Sequence, residues 1–481
     1  MKFNDTHHND TICAIATAAG TGGIAVARVS GPHATDIVAR RWQGKPLDAM
    51  PSHTAHLGRI NDSQGHLLDE VVLTLYRGPH SFTGEDVVEI ACHGSTWIQQ
   101  QLLATLIDAG CRMATGGEFT RRAVMSGRMD LSQAEAVADV IAAQSQASAR
   151  LALNQMRGGL SSELNALRER LLHFVALMEL ELDFSEEDVE FADRSQVTAL
   201  ASEIEQKIGR LADSFHAGNA IKGGVPVAIV GQTNAGKSTL LNALLHDDRA
   251  LVSDIHGTTR DVIEDTITMG GTLFRLIDTA GIRQSDDIIE AMGIERSYRM
   301  LDAAQLVLWV IDGTAPLDQV QTFSRQILPH CHDKHLIAVV NKTDLADVRH
   351  IIDELPRSLP AGADVVAISA RSEADVARLE QRIVEAAALP QVDDDTVIVT
   401  NARHYQALIR ARAAIQRTLA GLRNGLPGDL VSQDIRECLH HLGTISGQFT
   451  SHEILGEILA HFCVGKLLAI SIDFNQSQII T

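Results

Sequence analysis

No stretch of this 481-residue chain approaches the roughly 18 uninterrupted apolar residues of a membrane-spanning helix, so no part of it is expected to lie in a bilayer. The opening residues, Met1-Lys2-Phe3-Asn4-Asp5-Thr6-His7-His8, are polar and lack the apolar centre of a secretory signal. Six cysteines (Cys13, Cys92, Cys111, Cys331, Cys438, Cys463) are scattered without a C-x-x-C pair, which excludes zinc-like spacing and fits reduced thiols in a cytoplasmic protein. Basic charge is also scarce: 41 Lys plus Arg face 61 Asp plus Glu, a formal net charge of -20. A chain that binds nucleic acid alone needs the opposite sign, because Lys and Arg displace counterions from phosphates. If RNA is a substrate, a partner or a local basic patch must help hold it.

What is present is a soluble, modular composition, 45% hydrophobic and 21% charged, and the length exceeds what one hydrophobic core serves. Up to about residue 118, short apolar runs (Ile24 to Ala27, Val71 to Leu75, Val87 to Ile90) alternate with Gly and Pro turns and one helical stretch, Ile98 to Ala109. From Leu131 to Phe184 the spacing becomes helical, with Leu160, Leu164, Leu167, Leu171, Val175 and Met178 three and four residues apart. Lys222-Gly223-Gly224-Val225-Pro226 is a breaker, after which strands and helices alternate to about Ala388 as in a parallel sheet covered by helices. Helices return over Ala402 to Leu422, Leu430 to Leu442 and Ile454 to Phe462. The pattern predicts an α+β domain, helices and an α/β unit. That unit is either inserted into one helical domain or set between two.

Val227-Ala228-Ile229-Val230 leads into Gly231-Gln232-Thr233-Asn234-Ala235-Gly236-Lys237-Ser238, and Thr239-Leu240-Leu241-Asn242-Ala243-Leu244 continues as a helix. Strand, G-x-x-x-x-G-K-S and helix in this order form a phosphate loop. Its amides face phosphates at a helix N-terminus, Lys237 adds a point charge, and the Ser238 hydroxyl suits Mg²⁺. Leu276-Ile277-Asp278-Thr279-Ala280-Gly281 offers an Asp to the Mg²⁺ shell and a Gly amide to the γ-phosphate. In Asn341-Lys342-Thr343-Asp344, the Asp344 carboxylate can accept guanine's N1–H and exocyclic amine. Adenine would leave that carboxylate unmatched, and an unpaired buried acceptor costs roughly 1–3 kcal/mol. Ile368-Ser369-Ala370-Arg371 supplies a loop whose backbone meets the guanine oxygen. Between these motifs, Val252-Ser253-Asp254-Ile255-His256-Gly257-Thr258-Thr259-Arg260-Asp261 holds Thr259, the natural switch threonine for Mg²⁺. Four motifs in order identify a GTPase.

A Ras-like enzyme places a water-orienting glutamine after that Gly, whereas this chain has Ile282. An isoleucine cannot orient water, so a polar residue must come from elsewhere. Asp286-Asp287-Ile288-Ile289-Glu290 is the nearest source.

The chain resembles the bacterial MnmE (TrmE) family of tRNA modification GTPases. Within the α/β unit the resemblance rests on Asn234, Gly257 to Asp261, Asp278 to Arg283 and Gly293 to Ser297. Elsewhere it rests on Asp10 to Thr17, Phe82 to Glu89, Gly117 to Ala123, Asp130 to Ala136 and Phe462-Cys463-Val464-Gly465-Lys466. It implies a multidomain α+β and α/β fold with an α+β N-terminal dimerisation and folate-binding domain over 1–124. A helical domain over 125–221 and 389–481 is then interrupted by an inserted Ras-like G domain over 222–388. It further implies that K⁺ replaces an arginine finger, with Asn234 as a ligand and Ser253, Ile255 and Thr258 completing its shell, and that Glu290 is the catalytic glutamate. The folate site carries over as Arg28, Glu89, Arg128 and Lys466, for 5-formyltetrahydrofolate or a related one-carbon folate, with Cys463 as a modification-linked cysteine. An Arg suits a glutamyl carboxylate and a Glu suits pterin N–H groups. The implied partners are a second copy of the chain, an MnmG (GidA) flavoprotein carrying FAD and using NADH in a heterotetramer-type complex, and tRNA.

Two features depart from the family. Gln232-Thr233 replace a basic residue and a proline, a change with little consequence where backbone amides bind. Leu467 to Thr481 extend past the lysine at which the family ends, and a tail there is able to block or reshape a folate pocket. A ribosome-assembly GTPase of the Era/EngA type shares the G motifs, but it would carry a basic RNA-binding domain that this sequence does not display. A GTP-regulated folate enzyme without RNA would turn over with no partner.

Overall fold

The computed structural model describes residues 10–183, 194–246, 265–277, 298, 300–355, 359–360, 362–390, 392–393 and 396–448. These fall into two compact units. The first draws on Met1–Ala142, Gln155–Ser202 and Ala413–Thr481, and the second on Ala143–Asn154 and Glu203–Arg412. In sequence, the long segment of the second unit therefore interrupts the first.

The first unit holds a seven-stranded sheet of β1 (Ile12–Ile15), β2 (Ile24–Ser30), β3 (Trp42–Gln43), β4 (Thr54–Asn61), β5 (Leu67–Tyr76), β6 (Val87–His93) and β7 (Arg112–Met113). Their order across the sheet is β3-β4-β5-β6-β2-β1-β7. All pairs are antiparallel except β1 with β7. Strands alternate sides with period two. Ala25, Ala27 and Val29 of β2 accordingly join Val88, Ile90 and Cys92 of β6 in one buried core, against Leu102 and Leu106 of the helix Thr96–Asp108. Arg28 and Glu89 fall on the opposite parity, directly across from each other.

The apolar runs named in the sequence lie within β2, β5 and β6, opening β2 and β6 and filling the second half of β5, and pairing with the neighbouring strands extends each beyond its run. The leucine spacing lies on the helix Gly159–Asp183, where Leu160, Leu164, Leu167, Leu171 and Val175 are all buried. Its principal neighbour is the helix Gly428–Ser446. Among the described residues no helix is long and apolar enough to cross a membrane.

The second unit is built on six strands, β8 (Val225–Val230), β9 (Asp265–Met269), β10 (Thr272–Leu276), β11 (Leu306–Asp312), β12 (His335–Asn341) and β13 (Asp364–Ala367), ordered β13-β12-β11-β8-β10-β9. All neighbours run parallel except β9 with β10. Central β8, β11 and β12 are buried nearly throughout, as parallel strands covered on both faces must be. The breaker ends sooner than the sequence implies. The preceding helix stops at Gly223, Gly224 takes a φ of 83°, and the strand already starts at Val225, so Pro226 lies inside it. Proline is tolerated near a strand start, and here its carbonyl still accepts the Gln305 N–H at 2.9 Å.

Candidate functional site

Because β8, β11, β12 and β13 run parallel, their C-terminal ends share one edge, where an α/β sheet places its ligands. The phosphate loop follows β8, Asp312 and Asn341 end β11 and β12, and Ser369 stands just beyond β13.

Two loop glycines are required by close approach. A Cβ on Gly231 would stand 2.2 Å from the Val310 carbonyl oxygen, and one on Gly236, at a φ of 95°, would stand 2.2 Å from Asn341 Nδ2. Between them Asn234 adopts a φ of 61°, a left-handed conformation that asparagine tolerates, and lies exposed. The helix Lys237–His246 follows directly, with Ser238 and Thr239 exposed in its first turn. Lys237 Nζ arches back to donate to the carbonyls of Gly231 (2.8 Å) and Gln232 (2.7 Å). Burial pushes its ammonium pKa down. Helix N-terminus, loop amides and this cation together form a phosphate cradle.

Asn341, only 2% exposed, joins the cradle to the base-reading loops. Its Nδ2 donates to the Ala235 carbonyl at 3.0 Å and its Oδ1 accepts the Ala370 N–H at 2.9 Å. Ser369 N–H donates to Asp375 Oδ2 at 2.8 Å, so two amides of the Ser369-Ala370-Arg371 loop hold its shape. Lys342, at a φ of 66°, donates to Asp312 Oδ2 at 2.6 Å. Burial raises the Asp312 pKa, but bonds from Lys342 and Thr314 outweigh it and leave a net lowering. Asp344 is exposed at the loop surface, its carboxylate accessible to a base. Asp312 went unread in the sequence; only its place at a strand end, beside the N-K-x-D strand, could have signalled it.

Glu290, Ser253, Asp254, Ile255, His256, Gly257, Thr258, Thr259, Asp278, Thr279, Ala280, Gly281, Cys463 and Lys466 lie outside the described residues. So do Ile282, the helix expected over Ile454 to Phe462 and the extension from Leu467 to Thr481.

In the first unit, Arg28 Nε and Nη2 both reach Glu89 Oε1, at 2.9 and 2.7 Å. The guanidinium lies over the rings of Phe82 (5.0 Å to the centroid) and Phe119 (5.6 Å). Tyr76 OH approaches Glu89 Oε2 at 3.5 Å, and burial together with that carboxylate raises the phenol pKa. Arg128, exposed, stands three residues beyond the helix Glu118–Met125. The structure thus brings Arg28 and Glu89 into contact and adds two aromatic rings that the sequence reading did not single out.

The segments carrying those rings are fixed by a charge cluster. Arg122 donates to Glu85 (3.1 Å), Asp10 (2.6 Å) and Glu118 (3.1 Å), and Arg112 donates to Glu118 (2.6 Å) and Asp10 (2.7 Å). Burial raises the Glu118 pKa, but Arg112, the Thr115 N–H and Arg122 more than offset it and hold the carboxyl at about 2. Ser30 closes the cluster onto Thr83 and Glu85, both at 2.7 Å.

A family model for the MnmE helical domain matches residues 131–463, and one described as the N-terminus of GTP-binding protein TrmE matches residues 11–128. Relatives named tRNA modification GTPase MnmE cover nearly the whole chain. That of Bacteroides fragilis is 54% identical over 466 residues, 95% of this chain and 100% of the relative. That of Parabacteroides distasonis is 54% identical over 463 residues with the same coverage, and that of Porphyromonas gingivalis is 48% identical over 476 residues, 97% of this chain and 100% of the relative.

Proposed function

The chain belongs to the MnmE (TrmE) family of tRNA modification GTPases, and from that footing we propose that it hydrolyses GTP to drive a modification of tRNA. The observation that carries the reading is Asn341, which ties a phosphate cradle to the loops placed to read guanine. Lys237 and the loop amides would take the phosphates, and Asp344 the guanine edge. The Ser238 hydroxyl, exposed in the first helical turn, suits Mg²⁺, with Thr259 as the second hydroxyl. Asn234, exposed on the loop crest, presents a neutral oxygen donor suited to K⁺, with Ser253, Ile255 and Thr258 as the further ligands.

The finer chemistry follows the family. With an MnmG-type flavoprotein that supplies FAD and uses NADH, the protein adds an aminomethyl or carboxymethylaminomethyl group to C5 of the wobble uridine of certain tRNAs. Arg28 and Glu89 offer a planar cation and a carboxylate suited to a reduced folate, whose bound form would supply the one-carbon unit. The protein acts in the cytoplasm as a homodimer. A net charge of -20 fits a division of labour in which the partner holds much of the tRNA.

Deleting the gene should remove the aminomethyl-type uridine from nucleoside digests of total tRNA. Unaltered nucleosides accompanied by defective ribosome profiles would move the protein to the ribosome-assembly GTPases instead.

A further inference from the structure

The β9–β10 hairpin joins the two stretches that the GTP reading places at the phosphates. β9 opens at Asp265, just past Asp261, and β10 closes at Leu276, just short of Asp278. β9 is the edge strand and pairs with β10, which in turn pairs with β8 over Phe274 to Leu276. At the far end Gly270 and Gly271 turn the chain with φ of 58° and 77°, the two left-handed residues of a tight hairpin.

This tip meets the helix Gln146–Met156, which belongs to the same unit as far as Asn154. Ser145 and Ser148 cap that helix reciprocally: Ser148 N–H donates to Ser145 Oγ at 3.2 Å, and Ser145 N–H to Ser148 Oγ at 3.1 Å. Ala147 N–H is a first-turn donor that a helix cannot satisfy internally, and it donates to the Gly271 carbonyl at 3.2 Å. A Cβ on Gly271 would stand 3.2 Å from Gln146 Oε1, and one on Gly270 would stand 3.1 Å from Val384 of the helix Glu373–Ala386. The tip is thus wedged between two helices, and in a close-packed setting a tilt or slide of the hairpin must be taken up by one of them. Past this contact Leu151 packs with Ile221 and Ile398, and the chain passes into the first unit at Gln155.

We propose that the hairpin is a relay that carries the nucleotide state from the phosphates to the helix Gln146–Met156, the Gly271–Ala147 bond being made with one nucleotide and broken with the other. Each strand has five residues and so spans about 17 Å, which lets a displacement at the phosphates appear at the tip. The relay rests on the GTP reading above and adds to it the segment that responds. Such coupling is reciprocal: holding the contact closed weakens the nucleotide that breaks it.

The test uses the full-length protein with Mg²⁺ and either GDP or a non-hydrolysable GTP analogue. Hydrogen–deuterium exchange at the Ala147 amide, read by mass spectrometry, should differ several-fold between the two. A disulfide lock supplies the second measurement. A Cβ on Gly271 would stand 3.7 Å from that of Gln146, within the span of a disulfide, so Gln146→Cys combined with Gly271→Cys should close with diamide and reopen with dithiothreitol. Measured against wild type treated in the same way, the locked form should lose about fivefold or more in affinity for whichever nucleotide makes Ala147 exchange faster, and regain it on reduction. Equal exchange with both nucleotides, or a locked form whose two affinities match those of the reduced form, overturns the relay and leaves the GTP reading standing. Wild type that binds neither nucleotide removes both. If the double variant does not fold, the exchange measurement on wild type decides alone.

Discussion

Asn341 Nδ2 donates to the carbonyl of Ala235 at 3.0 Å, a bond between residues 106 apart in sequence that welds the phosphate loop to the end of β12. With the Ala370 bond it makes one side chain the shared support of phosphate and base recognition. Asn341→Ala leaves the Ala235 carbonyl and the Ala370 N–H without that partner inside the protein, at roughly 1–3 kcal/mol for each buried group left unsatisfied. Thermal unfolding should shift down by several degrees and GTP affinity should fall about tenfold or more. A variant with wild-type melting and wild-type affinity would show that the bridge supports neither.

Lys237 is held below its ordinary pKa of 10.5 by burial. The unfolded chain then binds the proton more tightly than the folded one. The resulting penalty is fully present at neutral pH and is relieved as pH rises from the lowered value toward 10.5. Phosphates reverse the preference by favouring the ammonium, so GTP binding in that alkaline window should take up a proton. Titrations in two buffers of different ionisation heat should reveal the uptake, and Lys237→Met should abolish it along with most of the affinity. Equal apparent heats in the two buffers would contradict the coupling.

Glu118 carries the opposite sign. Its carboxyl, 1% exposed, is held at about 2 against an ordinary value of 4.5. The stability it contributes is therefore complete above about 4.5 and is lost as pH falls toward about 2. A shift of that size corresponds to an order of 3 kcal/mol. Glu118→Gln should lower stability by about that much at neutral pH and flatten the acid limb of the unfolding curve followed by circular dichroism. An unchanged acid limb would place the pH dependence in other carboxylates.

The phosphate loop was legible because its chemistry demands neighbours in sequence: a strand, two glycines where a Cβ would collide, and a lysine opening a helix. The Asn341 bridge was half legible, as a guanine motif but not as the tie to Ala235, because the tie depends on which strands adjoin. Arg28 and Glu89 are 61 residues apart, too far for any local pattern to pair them. Only the register of β2 on β6 makes them face each other. Phe82 and Phe119 carried no periodic signal, and the Arg112 and Arg122 cluster joins four separate segments, so neither could be assembled before the fold was known. Pro226 misled for the converse reason: a local breaker was overruled by the strands on either side of it.

Ile282 leaves the position after Gly281 without a group able to orient water, and the proposed substitutes are Glu290 and K⁺. Hydrolysis should be about tenfold or more faster in K⁺ than in Na⁺ at equal ionic strength, since the cation takes the place of a transition-state charge. Glu290→Ala should lose about 100-fold in kcat while GTP still binds. Equal rates in the two salts would remove K⁺ from the mechanism, and a variant with normal kcat would remove Glu290.

Asp344 gives the sharpest test of base reading, because its carboxylate only accepts, and guanine presents two adjacent donors, N1–H and the 2-amine. Asparagine at that position keeps one acceptor and turns the other into a donor. It no longer matches guanine, but it matches xanthine, which keeps N1–H and has a carbonyl where guanine has the amine. Asp344 is exposed at the surface of its loop, so the substitution should leave folding intact. Asp344→Asn should therefore weaken GTP by about 100-fold or more and bind XTP more tightly than GTP, by the penalty of an unmatched polar edge. Displacement of a fluorescent nucleotide by GTP, XTP and ATP would measure the switch. A variant that still prefers GTP would mean that the guanine edge is read by other groups, with the backbone of Ser369 to Arg371 the first to examine.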